Sequence, residues 1–176
     1  MNLPIVTLVS FGLFEQDFLE QIGKVVQPEF NCMVNLRDGH IDLSDYYDPA
    51  RRQYNGNTLL KMVDSIAFPD SIKTLGLFNV DLFIPILTYI FGQAFLNGRS
   101  GIASVYRLTN ERYGMPRNDE LFRERAKKEV IHELGHTFGL IHCDNPICVM
   151  RSSTYLEDVD QKKLHLCHNC RAKLEN

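Results

Sequence analysis

The apolar residues between Leu3 and Val9 form an almost unbroken run, and a strand is expected over residues 3–12. Residues 15–26 place Phe18, Leu19, Ile22 and Val26 at helical spacing, and residues 30–36 read as a second strand, so the chain opens as an α/β layer. A polar, turn-rich stretch over 37–57 precedes a helical segment at 58–66. Residues 71–84, bracketed by Pro69 and Pro85, supply further strand pattern. Two β-rich runs, 89–96 and 102–108, are joined through Asn97-Gly98, a dipeptide suited to the left-handed backbone of a tight hairpin. Asn118, followed by Asp119 and Glu120, marks the start of a long helix that should run to Phe138, since a capping side chain and two carboxylates complement the positive helix end. Within it Phe122, Ala126, Val130, Leu134 and Phe138 recur every four residues as a stripe to pack on the sheet. A last helix is expected over 159–175, with no repeat, low-complexity tract or linker anywhere.

Composition narrows the functional classes. At 176 residues and 44% hydrophobic side chains the chain can bury the core of one domain. A net charge of -3 with both signs interspersed offers no footprint for nucleic acid or for an anionic membrane surface. Asp81 and Pro85 interrupt the longest apolar candidate, 78–91, so no membrane span is expected. The apolar start lacks a basic flank and a small-x-small cleavage site, which points away from a secretion signal and towards a cytoplasmic location.

The segment from His132 to His142 fits H-E-x-x-H-x-x-G-x-x-H at His132, Glu133, His136, Gly139 and His142. Residues four apart stand one turn above each other, so His132 and His136 point the same way from one helix. Gly139 falls where the helix must stop and enters a left-handed C-cap without steric cost, turning the chain so that His142 completes a tripod. Three protein ligands with an open fourth position are the mark of a catalytic zinc, whose bound water ionises near pH ~7. Glu133, about 60° round the helix from His136, stands beside the metal in the place of a general base. The competing reading, an ordinary amphipathic helix with surface or core histidines, does not account for all five fixed positions.

Four of the five cysteines form two short-spaced pairs, Cys143-x4-Cys148 and Cys167-x2-Cys170, whereas Cys32 lies alone in an apolar stretch and reads as a small core residue. Two thiolate pairs suit a closed tetrahedral structural zinc, and the residues after Gly139 are too few to build their own core, so a metal would anchor them. A redox Cys167-x-x-Cys170 pair, free thiols, and His165 or His168 in place of one cysteine are the alternatives. Two zinc ions, one catalytic and one structural, are therefore expected.

The zinc motif, continued by Cys143, Cys148, Met150, Cys167 and Cys170, closely resembles the archaemetzincin family of metzincin zinc metallopeptidases. The resemblance spans residues 94–170. It implies an α+β fold with an α/β-like upper part: a metzincin-type twisted sheet with a backing helix and an active-site helix, and a small zinc-anchored C-terminal part. One catalytic domain, 1–176, would divide into an upper subdomain, 1–138, and a lower subdomain, 139–176, with Met150 in a Met-turn beneath the zinc. It further implies a peptide or protein substrate, bound antiparallel to an edge strand at 89–96. No inhibitory pro-segment is visible before the first strand, and a monomer is expected. The alternative function is a catalytically silent two-zinc module with a peptidase fold that binds peptide or serves a structural role.

Overall fold

The apolar run at the start becomes β1 (Ile5–Phe11), almost wholly buried, in a computed structural model that describes residues 3–66 and 68–175. Successive side chains of a strand point to opposite faces, and β1 uses both. Val6 and Leu8 join a core with α1 (Gln16–Phe30) and α3 (Asp119–Thr137), while Val9 and Phe11 join a second core with α2 (Gly56–Ser65). β1 lies between β2 (Met33–Gly39) and β5 (Ser71–Phe78), parallel to both, and β5 continues the parallel sheet to β9 (Ser100–Ser104). The antiparallel strand β8 (Gly92–Ala94) closes this sheet at one edge, in the order β2-β1-β5-β9-β8. A smaller sheet holds β3 (Tyr47–Asp48), β4 (Gln53–Asn55), β6 (Leu82–Ile84) and β7 (Leu87–Ile90). The result is a mixed α+β architecture with helices on both faces of a twisted sheet.

Several boundaries differ from the sequence expectation. The first helix runs past Val26 to Phe30 with Pro28 in its last turn, and the following strand starts only at Met33. The proline removes one helical hydrogen bond, but the extra turn buries Phe30 against Phe138, ring centroids 4.9 Å apart. The 71–84 segment is two strands, because the chain turns aside to deliver Asp81 to the Arg107 fork at 2.5 and 2.6 Å. The 89–96 run breaks at Phe91, so that β7 belongs to the small sheet and β8 to the large one. The hairpin forms with Asn97 in the left-handed region (φ 54°). Its strand partner ends at Ser104 instead of continuing to Leu108. Cys32 is a buried core residue as expected.

The expected last helix over 159–175 is two short ones, α4 (Leu156–Gln161) and α5 (His168–Leu174). A continuous helix could not present the intervening side chains and backbone to their targets. Lys162 reaches Glu129 at 3.4 Å, and the Leu166 N–H donates to Glu29 at 2.7 Å. No described helix is long and apolar enough to cross a membrane.

Candidate metal centres

α3 starts as its sequence requires, with the Asn118 side chain accepting from the Leu121 N–H at 3.0 Å. Its last two turns carry His132 and His136 on one side, and their Nε2 atoms come within 3.1 Å of each other. Gly139 adopts φ +90°, and the Leu140 N–H returns to the Gly135 carbonyl at 2.9 Å, reversing the chain. His142 then closes the tripod, with imidazole centroids 5.0 and 5.3 Å from those of His136 and His132.

Each helical imidazole is oriented by a backbone carbonyl. His132 Nδ1 meets Val149 O at 2.9 Å and His136 Nδ1 meets Leu140 O at 2.7 Å. A carbonyl only accepts, so both Nδ1 atoms carry hydrogen and both Nε2 lone pairs face each other. Two lone pairs at 3.1 Å repel unless a cation lies between them. Tetrahedral zinc at about 2.0–2.1 Å from each nitrogen would separate them by about 3.3 Å. Burial, with the Lys162 ammonium adding to it, pushes all three imidazoles below their ordinary value and keeps them in the neutral, ligating form. The donor set and its spacing fit the metal that the motif implies.

Met150 is fully buried and its thioether packs against α3 at Gly135, where a β-carbon would collide with Sδ. Glu133 is buried on the cleft side of α3 beside Gly92 of the edge strand; a β-carbon there would lie 2.6 Å from the Glu133 Cγ and Oε1. Burial drives this carboxyl well above the usual carboxylate range, Glu129 adding to the effect and Lys162 opposing it.

The other four-residue group brings Cys143, Cys148, Cys167 and Cys170 together, all with free thiols. Cys143 and Cys167 are 3.8 Å apart at sulfur, as are Cys148 and Cys170. Tetrahedral zinc with bonds of about 2.3 Å sets its sulfurs about 3.8 Å apart, whereas a disulfide needs about 2.05 Å. Burial pushes the Cys148 and Cys170 thiols up, so these two give up their protons readily only to a cation. His165 and His168 stand outside this group; His165 instead pairs with Glu29 at 2.9 Å.

The two centres share backbone. Cys143 follows His142 and donates its N–H to Met150 O at 3.0 Å, while Cys148 precedes Val149, whose carbonyl orients His132. A cleft of about 710 Å³ runs over the histidines between β7–β8 and residues 152–155. Gln93 Oε1 and Ser153 Oγ, the two buried side-chain atoms without a hydrogen-bond partner among the described residues, belong to residues lining it.

Sequence reading missed Gly92, Gly135, the carbonyls of Val149 and Leu140, and the buried pair of Glu129 and Lys162. Signals existed for the glycines, since a glycine inside a strand or helix pattern points to close approach. Nothing local announces a backbone acceptor or an ion pair spanning 33 positions.

Residues 17–176 match Peptidase family M54. The archaemetzincin of Thermococcus kodakarensis is 44% identical over 98% of this chain and 96% of its own length, and that of Methanocaldococcus jannaschii 40% identical over 91% and 89%. The crystal structure of archaemetzincin from Methanopyrus kandleri superposes with a TM-score of 0.86 at 33% identity, covering 98% of this chain and 93% of that one. The Archaeoglobus fulgidus archaemetzincin, solved in complex with malonate, gives 0.81 at 33% identity, covering 96% and 99%. A match of this extent in sequence and in fold assigns the chain to peptidase family M54, the archaemetzincins, and makes it a zinc metallopeptidase.

Proposed function

We propose that the protein hydrolyses peptide bonds at a zinc ion held by His132, His136 and His142, with Glu133 as general base, and that Cys143, Cys148, Cys167 and Cys170 hold a second, structural zinc. The observation that carries this reading is the convergence of three imidazoles on one point beside a buried carboxylate in the wall of an open cleft. Zinc bound there supplies a Lewis acid for the scissile carbonyl and lowers the pKa of a coordinated water to about 7. Glu133 accepts a proton from the attacking water and donates it to the leaving amine.

Substrate binding has a backbone basis. The Ser104 N–H donates to Phe91 O at 2.8 Å and the Phe95 N–H to Ser100 O at 3.0 Å, so residues 91, 93 and 95 bond towards β9. By the two-residue period of an antiparallel ladder, the N–H and C=O of Gly92 and Ala94 point outward, free to pair with an extended peptide beside Glu133. A core that runs continuously from Val6 to Cys170 supports reading 1–176 as one catalytic domain cut by the cleft into 1–138 and 139–176, although residues 1, 2, 67 and 176 lie outside the described ones.

Zinc-loaded protein is expected to cleave members of a diverse peptide library, to stop when a chelator strips the histidine site, and to resume when zinc is restored. Binding without new termini, at a demonstrably loaded site, would instead support the catalytically silent module. Gly92→Ala is expected to push Glu133 aside and lower kcat/KM by roughly ten- to hundredfold with zinc content unchanged, because about 1 Å of misplacement can cost that much. Unaltered kinetics would remove Gly92 as a constraint on Glu133.

Acid release of the histidine-bound metal follows from the imidazole shifts. All three pKa values lie below the ordinary 6.5, so protons displace the metal only below that pH. Zinc content after dialysis should be the same at pH 7.5 and 6.5 and fall only at lower pH. Loss of one ion between 7.5 and 6.5 would contradict the assignment.

A further inference from the structure

The cleft over the histidines has two lips, and a hydrogen bond joins them. The Tyr89 hydroxyl, on β7, donates to the Thr154 carbonyl at 2.8 Å, reaching from the edge strand to the segment 152–155 across the groove. Both ends of the link are braced. The Tyr89 ring meets Phe91 edge-on with centroids 5.6 Å apart, and the Arg107 guanidinium lies over it, 4.1 Å from the centroid. Asp81 in turn holds that guanidinium in its fork at 2.5 and 2.6 Å. On the other lip the Asp158 carboxylate accepts from the Thr154 and Tyr155 N–H groups, each at 2.8 Å. A phenol planted in one wall and a carbonyl pinned in the other form a strap over the groove.

The place of the strap along the edge sets its consequence. Gly92 is the strand residue against Glu133, and Tyr89 comes three residues earlier, about 10 Å along an extended chain at about 3.3 Å per residue. A peptide antiparallel to this edge, with its scissile bond opposite Gly92, sends its C-terminal part towards Tyr89. About two residues beyond the scissile bond fit before the strap, and the next one meets it. Leu87 and Thr88, exposed and still part of the cleft wall, continue the groove past that point, so the strap crosses a path instead of marking its end. We propose that Tyr89 is a specificity-determining residue, whose link to Thr154 limits the bound peptide to about two residues after the scissile bond and so favours substrates cut near their C-terminus. The inference rests on the histidine metal centre and the antiparallel substrate direction of the proposed function. A longer chain must break the hydrogen bond, whose net contribution corresponds to about fivefold in affinity.

The test uses the full-length, zinc-loaded protein and two series of alanine peptides carrying a hydroxamate, a group that ligates zinc. One series extends from the metal in the C-terminal direction, through a succinyl hydroxamate that takes the place of the first residue. The other extends in the N-terminal direction, as peptidyl hydroxamates. Calorimetric titration of wild type should show affinity falling about fivefold between the second and third residue of the first series, with no such step in the second series. In Tyr89→Ala the step should vanish, and in Tyr89→Phe, which keeps the ring but not the hydroxyl, it should shrink. No step in wild type, a step in the N-terminal series, or a step that survives in Tyr89→Ala overturns the proposal. Hydrogen exchange reads the strap without turnover or a ligand on the metal: in Tyr89→Phe the Thr154 and Tyr155 amides should exchange severalfold faster, and unaltered rates would show that no strap exists. Hydroxamates that bind neither wild type nor variant at any length would count against the histidine metal centre, while the exchange rates still decide the strap.

Discussion

Glu133→Gln should lower kcat/KM by roughly a thousandfold while the zinc content stays that of wild type. The size follows from general-base catalysis, which contributes about 10²- to 10⁴-fold when the proton acceptor is held in place. The substitution is the informative one because it changes so little else. Glutamine keeps the shape that fits against Gly92, where space is tight enough that a β-carbon would lie 2.6 Å from Cγ, and it removes only the basic oxygen. Since Glu133 is not part of the three-histidine group, zinc content should match wild type. Steady-state kinetics on any peptide that wild type cleaves, paired with metal analysis, checks both halves. A variant that cleaves as well as wild type removes Glu133 from the chemistry, and one that loses zinc moves it into the ligand set.

The largest effect on stability is expected at the cysteines. Cys170→Ser should release one zinc and destabilise the fold by roughly 5 kcal/mol or more, since structural zinc in small domains binds with about 10–16 kcal/mol. His142→Ala should cost far less, because His142 is exposed and its loss leaves the thiolate centre intact. The sulfur cluster also holds the backbone on which the histidine centre depends. Cys148 adjoins Val149, whose carbonyl fixes the His132 tautomer, and the Cys143 N–H fixes Met150 O. Loosening that segment should therefore weaken metal binding at the histidines by about tenfold or more. Thermal unfolding and native mass spectrometry of the two variants read out the order. A Cys170→Ser protein as stable as wild type, still carrying its full metal, would refute a structural role for the thiolates.

Much of this was legible in the sequence because zinc ligation confines its residues to short spacings. His132, Glu133 and His136 are fixed by the helical repeat, and Gly139 and His142 by the need to end the helix and turn back. The first strand was legible as a continuous apolar run, and in the structure both faces of Ile5–Phe11 are covered. What escaped depends on partners distant along the chain. The first helix was read only to Val26, because its last turn is secured by the packing of Phe30 on Phe138, 108 positions away. The last quarter looked like one helix because nothing local says that Lys162 must reach Glu129 or that Leu166 must reach Glu29. The edge strand along the cleft seemed a single run, yet Phe91 hands the chain from one sheet to the other. Gly92, given no role by the sequence reading, lies where an added β-carbon would be 2.6 Å from Glu133 Cγ.

The central claim is hydrolysis at the histidine centre, and the most direct measurement is digestion of a diverse peptide library in water enriched with oxygen-18 by zinc-loaded wild type and by Glu133→Gln. Mass spectrometry should find new carboxyl termini bearing one heavy oxygen with wild type and essentially none with the variant at equal zinc content. An uncut library with a fully loaded wild-type site, or identical products from both proteins, would contradict it.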